Sequence, residues 1–323
     1  MMNSSHDPMT IRKQYLEVPP TLKCSTLRKA VSGFIGMFLA PLYLAAAAYA
    51  GGPGVGVHLR CMWLGLSLFL TGKISIKDAV SLFFSPMDST RYFEFHEIFL
   101  RKPAVSAKNY LDISSPRLVP LFLLMSSTET SADLINPDLA DLQRTEKMMT
   151  SLGLQQRCRF HSQLLGAVPL KPASFDLITC VSVLEHIPDD RQAVATMWNL
   201  LRPGGRLVLT FPSMAHPLEQ YISYNPFGVL TPGDDGYTFW QRYYDRQRIQ
   251  DVICSVAGQP LVMKVYGEKV RGCFLRNAMM KRIFGHRYPI WQESFMMARE
   301  YRYFDRIEDL PGEGVVYLEF VKS

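Results

Sequence analysis

The chain predicts an α/β fold: a mostly parallel, doubly wound sheet in its C-terminal two thirds, with a helical appendage ahead of it. Three observations carry that prediction. From residue 109 onward, short apolar runs alternate with longer stretches of helical period. The runs are apolar along their length rather than at every second residue, as in strands covered on both faces. The helical stretches open on capping acids and close on glycines: Asp189 and Asp245 open two of them, and Pro203-Gly204-Gly205 and Gly258 close them.

The chain has 323 residues, enough for one large domain or an ordinary domain plus an appendage. Residues 1–104 are read as the appendage and 105–323 as the main domain, with a basic insertion at about 268–312. Within the appendage, the 28 residues from Ala30 to Val57 contain no charged side chain, which is long enough to cross a bilayer as a helix. Pro41 and the run Gly51-Gly52-Pro53-Gly54 interrupt the stretch, and 61–72 is too short to return across a bilayer alone. Two readings stay open for 30–72, contact with a membrane surface and packing on the main domain or a second subunit. Residues 76–100 read as two short amphipathic helices split at Ser85-Pro86, the second capped by Asp88 or Ser89. The aromatics of the second, Tyr92, Phe93, Phe95 and Phe99, are placed to cover a ligand pocket or to pack.

In the main domain the expected order is strand 109–113, helix from Pro116 to about Ser127, strand 130–134, and helix from about Pro137 to Leu152. Strands 157–161 and 175–183 follow, then helix 189–201, strand 206–211, helix 245–257, strand 261–267 and a last strand 314–322. Ligands in such sheets bind beyond the carboxyl ends of the strands. Asp112 ends the first strand and Asp133 the second, 21 residues later, a spacing that suits an acid accepting from the two ribose hydroxyls of an adenosine cofactor. On that reading, loss of the Asp133 carboxylate weakens cofactor binding at least about tenfold. The turn after the first strand carries Ser114, Ser115 and Pro116 where glycines usually stand. Serine N–H and hydroxyl groups ahead of a helix suit a carboxylate better than a pyrophosphate, which points to a nucleoside bearing an amino acid.

The stretch "FDLITCVSVLEHIPDDRQAVATMWNLLRPGGRLVLTFP", 175–212, resembles the class I S-adenosylmethionine-dependent methyltransferases, in particular their small-molecule group. "FWQRYYD" at 239–245 and the two closing strands are similar to the same family. The resemblance covers about 105–323 and implies a Rossmann-like sheet of seven strands whose last strand is antiparallel. It also implies S-adenosyl-L-methionine as cofactor and methyl transfer to a small-molecule or lipid-like acceptor. Asp112, Ser114 and Ser115 fall where the family meets the methionine end of the cofactor. Asp133, with Leu134 beside it, falls on the ribose-binding acid, and Ser182 and Val183 fall beside the cofactor after the fourth strand. Two features depart from the pattern. The glycine-rich turn is degenerate, and no acid follows the third strand, where Gln163 or a backbone carbonyl is left to meet the adenine. The departures keep open an alternative, a methyltransferase-like binding or scaffold protein without turnover.

For chemistry, His186 and His216 are the candidate bases, and Tyr221, Tyr224, Tyr243 and Tyr244 are candidates for the acceptor side. The segment 264–287 holds seven Lys or Arg and one acid, suited to an anionic surface or substrate or to a solvated face. The net charge of +6 and the absence of a nucleic-acid motif give no support for sequence-specific nucleic-acid binding. Six cysteines without a C-x-x-C pair and seven histidines without ligand spacing exclude a disulfide framework or metal site on pattern. A cytoplasmic location, membrane-associated if 30–72 meets lipid, is the expectation. The appendage is also the surface through which an oligomer would form.

Overall fold

The computed structural model describes residues 11–17, 25–101, 107–223, 230–283 and 290–323. In chain order the elements are β1 (Arg12–Leu16), α1 (Thr26–Tyr49), α2 (Val55–Leu70), α3 (Ile76–Phe84), α4 (Arg91–Arg101), β2 (Asn109–Ile113), α5 (Leu118–Met125), β3 (Ser131–Ile135), α6 (Leu139–Ser151), β4 (Cys158–His161) and β5 (Phe175–Val181). They continue with α7 (Asp190–Leu200), β6 (Leu201–Ser213), β7 (Leu218–Ile222), β8 (Thr238–Tyr243), α8 (Arg246–Arg248), a π-helical turn Ile249–Cys254, α9 (Ser255–Ala257), β9 (Val262–Glu268), α10 (Cys273–Ile283), α11 (Glu293–Glu300), β10 (Tyr301–Phe304) and β11 (Gly314–Val321).

Among the described residues, eight strands form the main sheet in the order β10-β9-β11-β6-β5-β2-β3-β4. The five strands from β6 to β4 run parallel, and β11 is antiparallel to both its neighbours, β6 and β9. This is the doubly wound sheet the alternation predicts, with its order reversing between β2 and β5. It has one strand more than expected, because the basic insertion returns as β10 along the edge of β9. A second sheet, β1-β7-β8, was not foreseen. Its β7 alternates buried and half-buried residues, so its apolar signal is half that of a strand covered on both faces.

Two apolar cores lie on opposite faces of the main sheet. One holds Tyr110, Leu134, Leu177, Val181 and the α4 and α5 side chains; the other holds Leu111, Ile135, Ile178, Cys180 and the α7 side chains. The appendage joins the first core: Tyr92, Phe93, Phe95 and Ile98 of α4 are all buried. The split at Ser85-Pro86 falls where expected, between α3 and α4. Leu44, Ala47 and Val55 pack with Phe295 and Ala298, which seats α1 against α11. Among the described residues, no helix is long and apolar enough to cross a membrane. Phe34, Phe38 and Leu42 of α1 and Trp63 and Leu70 of α2 are exposed.

The loop between α1 and α2 depends on one glycine. Gly54 has φ +76° and caps α2, and a Cβ there would meet the Tyr92 carbonyl oxygen and, at 2.8 Å, its Cα. The loop therefore seats α2 directly on the backbone of α4.

Candidate active site at the strand ends

The turn after β2 keeps the backbone form that glycine would take. Ser114 has φ +49°, and Ser182, after β5, has φ +50°. Both serines sit in the left-handed region, which costs an L-residue roughly 1–2 kcal/mol. Both line a cavity of about 590 Å³, within the size range of ligand sites. Pro116, Arg117 and Leu118 from the start of α5, and Asp141 from the first turn of α6, form one wall. Asp78, Asp88, Arg91 and Phe95 from the appendage form another.

A buried carboxylate from the appendage ties these strand ends together. Glu94 is fully buried. Its Oε1 accepts from Ser182 Oγ at 2.5 Å and from Thr210 Oγ1 at 2.8 Å, and its Oε2 accepts from Arg91 at 2.9 Å. The tips of β5 and β6 are thus bonded to α4 through one side chain. Nothing in the α4 sequence distinguishes Glu94 from an ordinary acid of an amphipathic helix, and the sequence reading missed it.

The expected cofactor residues divide sharply. Ser114 and Ser182 line the cavity. Asp112 does not: it is 3% exposed and accepts from Tyr110 Oη, Thr179 Oγ1 and the Ser115 N–H at 2.7 to 3.1 Å. Burial pushes its pKa up, against those bonds. Ser115 Oγ accepts from the Val181 N–H at 3.2 Å, so Asp112 and Ser115 stitch β2, β5 and the turn together. The N–H groups expected to meet a ligand are spent as well: Ser114 donates to the Ile135 carbonyl at 2.8 Å, and Ser182 to that of Thr210 at 2.9 Å. Leu134 is buried in one core, and Val183 packs against the other.

Asp133 requires a correction. It lies in the middle of β3, paired with Leu111 and Arg159, while Leu134 pairs with Asp112. In parallel strands, register partners share a face, so Asp133 points to the face opposite Asp112. It lies outside the lining of the cavity, and its carboxylate is held by Arg159 at 2.5 and 2.8 Å and by His161 at 2.8 Å. Spacing placed an acid near the end of β3; the period of two turned it away. Burial pushes the Asp133 pKa up, but the bonds to Arg159 and His161 outweigh it and leave it below the ordinary carboxylate range. A lowered folded pKa stabilises above the unfolded value near 4 and is lost as pH falls below it. Asp133→Asn should therefore cost about 1 kcal/mol at neutral pH, because Arg159 is largely solvated. The cost should vanish in urea titrations at acid pH, and cofactor affinity should not change.

Beyond the shared wall of Asp88, Arg91 and Ser182 lies an inner cavity of about 220 Å³. It is lined by Glu185 and His186 after β5, Trp240 and Tyr243 of β8, Tyr301 of β10, and Glu313 ahead of β11. His186 is fixed here: its Nδ1–H donates to the Trp240 carbonyl at 2.7 Å, which leaves Nε2 as the basic nitrogen of the neutral ring. Burial holds its pKa below the usual value; the Trp240 carbonyl opposes that and the Arg91 charge adds to it. Of the tyrosines, Tyr243 lines this cavity. Tyr244 is buried and donates to Asp190 at 2.8 Å, and Tyr221 donates to Glu219 at 3.0 Å. Tyr224 lies outside the described residues. His216 is exposed in the bend between β6 and β7, outside both cavities, and Gln163 is exposed after β4. The geometry thus separates His216 and Gln163 from the site.

The sheet order, the switch point and the cavity beyond it define a doubly wound, Rossmann-like fold with a ligand-sized cavity at its strand ends. Sequence agrees: residues 124–209 match the family model described as "Methyltransferase domain". Over 81 residues the chain is 35% identical to a Ubiquinone biosynthesis O-methyltransferase of Xylella fastidiosa, covering 25% of this chain and 31% of that protein. Over 83 residues it is 37% identical to the Demethylmenaquinone methyltransferase of Deinococcus radiodurans, covering 25% and 33%. The chain therefore spans about a third of the length of the curated relatives it matches. The crystal structure of MccD protein aligns with 72% of this chain and 97% of its own, at 11% identity and a TM-score of 0.48.

Proposed function

We propose that the protein transfers a methyl group from S-adenosyl-L-methionine to a small-molecule acceptor. The observation that carries this is the cavity at the switch point, floored by Ser114 and Ser182 in glycine-like backbone. Its donor set fits the cofactor. Arg117 stands where α5 begins, 3.9 Å from Asp141 and partly exposed, and is free to meet the cofactor carboxylate in place of the spent turn N–H groups. Asp141 takes over the ribose hydroxyls from Asp133. When bound, the cofactor supplies an electrophilic methyl group on a sulfonium centre. The protein's part is orientation and proton acceptance. His186, on the wall of the inner cavity with Nε2 3.9 Å from Glu185 Oε1, is the proton acceptor for the methylated atom, and the Trp240 carbonyl fixes its ring. The names of two matched relatives, a ubiquinone and a demethylmenaquinone methyltransferase, support an acceptor built on a ring.

Arg117→Ala should weaken binding of S-adenosylhomocysteine by about tenfold or more, the loss of a charge-assisted hydrogen bond, and calorimetric titration measures it. A second reading, a methyltransferase-like fold that binds without turnover, draws on the spent N–H groups of the turn. Turnover assays on acceptor mixtures separate the two, because both readings bind the cofactor and the second transfers nothing. Membrane contact through the exposed apolar faces of α1 and α2 is also proposed: full-length protein should float with liposomes, and protein left in the bottom fraction contradicts it.

A further inference from the structure

The inner cavity carries more acid than methyl transfer requires. Glu185 is 3% exposed, and its Oε2 has no hydrogen-bond partner. Tyr301 is 2% exposed, and its Oη is likewise unpartnered. Leaving a buried polar atom unpaired costs about 1–3 kcal/mol, and here two such atoms belong to the wall of one cavity. Glu313 is on the same wall and accepts from Tyr243 at 3.1 Å, and Asp88 lies where the two cavities meet. Of the basic groups on this wall, Arg91 is already paired with Glu94 at 2.9 Å, and His186 Nε2 stands 3.9 Å from Glu185 Oε1, its pKa held down by burial. Four aromatics, Trp240, Tyr243, Phe274 and Tyr301, stand on the same wall, beside the polar Ser89, Thr90 and Gln241. Acid oxygens wanting donors, beside aromatic rings, are the features that hold an ammonium group.

We infer that the inner cavity binds a protonated amine carried on a single small ring or short chain, with Glu185 and Glu313 as its carboxylate partners. This deepens the proposed function, since it rests on the reading of this cavity as the acceptor's. The family match ends at residue 209. Trp240, Tyr301 and Glu313 lie beyond it, and Glu185 and His186 lie within it. Burial pushes the Glu185 pKa up to about 8; its own backbone N–H and Arg91 oppose that, and Glu94 adds to it. Burial also pushes Glu313 up to about 7, the Tyr243 bond opposing and Glu268 adding. Glu268 itself accepts from the Gly272, Phe274 and Glu313 N–H groups. Cys180, Tyr243 and Tyr301 are shifted far above neutrality and stay uncharged, and His186 is shifted downward. Near pH 7.5 the two glutamates are thus partly protonated. An entering ammonium favours their ionised forms, so binding releases protons from their carboxyl O–H bonds to the buffer.

Calorimetric titration of the full chain with benzylamine, benzyl alcohol and hydroquinone tests this, each alone and with saturating S-adenosylhomocysteine. Benzylamine should bind about tenfold or more tighter than either neutral ring at pH 7.5. Its apparent enthalpy should also change between buffers of different ionisation heat, in the sense of proton release. Glu185→Gln and, as a separate folded variant, Glu313→Gln should each shrink the preference and the proton release. Equal or tighter binding of hydroquinone or benzyl alcohol overturns the inference, as does benzylamine binding without proton release. If S-adenosylhomocysteine binds and benzylamine does not, the amine site is wrong and the cofactor reading stands. If benzylamine binds with proton release and S-adenosylhomocysteine does not, the cofactor reading fails and the amine site stands. If neither binds, both fall.

Discussion

Replacing Glu94 by alanine should cost about 3–5 kcal/mol of stability and abolish cofactor binding together. The stability loss follows from what the carboxylate holds. Glu94 is buried among Arg91, Ser182 and Thr210, and removing one member of a buried ion pair leaves the rest desolvated without a partner. The binding loss follows from position. Ser182 and Arg91 both line the 590 Å³ cavity, and Ser182 sits at φ +50°, a conformation that persists only while its surroundings enforce it. Without Glu94 the serine can relax and Arg91 is released into the cavity. Urea denaturation gives the first number and titration with S-adenosylhomocysteine the second. Unchanged affinity in a destabilised variant would show that the β5 tip is held without help from the appendage.

Gly54→Ala should cost about 3 kcal/mol, the largest effect expected from a single added methyl group. Alanine at φ +76° pays the left-handed penalty, and its Cβ would press on the backbone of Tyr92 rather than on a side chain that can swing away. The α1–α2 loop must lift from α4. That strains the bond between Tyr92 Oη and His58 Nδ1 at 2.9 Å and the packing of Leu44 and Ala47 on α11. A lower urea midpoint with an unchanged slope is expected. Gly51→Ala makes a control, because it too has positive φ but nothing lies within 4 Å of its Cβ. It should cost only the conformational part.

The alternation of apolar runs and capped helices made the main sheet legible, because a strand covered on both faces leaves a contiguous apolar signature. Asp189 and Asp245 cap where the pattern placed them, accepting from Gln192 and Arg248 N–H groups. The site was less legible. Asp133 shows why: a one-residue offset between spacing and strand period turns a carboxylate from the cavity to the opposite face. Asp141, Arg91 and Arg117 were invisible because they reach the cavity from helices, where surface charge is the ordinary expectation. Glu185 and Glu313 lie more than a hundred residues apart in sequence, and only the antiparallel return of β11 beside β6 brings them to one wall. Ser114 is at φ +49°, with its N–H and hydroxyl both bonded to the Ile135 carbonyl. The loss of glycine did not change the backbone; the serine adopts the conformation that glycine would have taken.

If the strand-end cavity is an adenosyl cofactor site, calorimetric titration of the full chain with S-adenosylhomocysteine detects it. Saturable one-to-one binding is expected, weakened about tenfold or more by Arg117→Ala and untouched by Asp133→Asn. No heat of binding up to millimolar ligand would contradict it, as would a loss of affinity on changing Asp133 with none on changing Arg117.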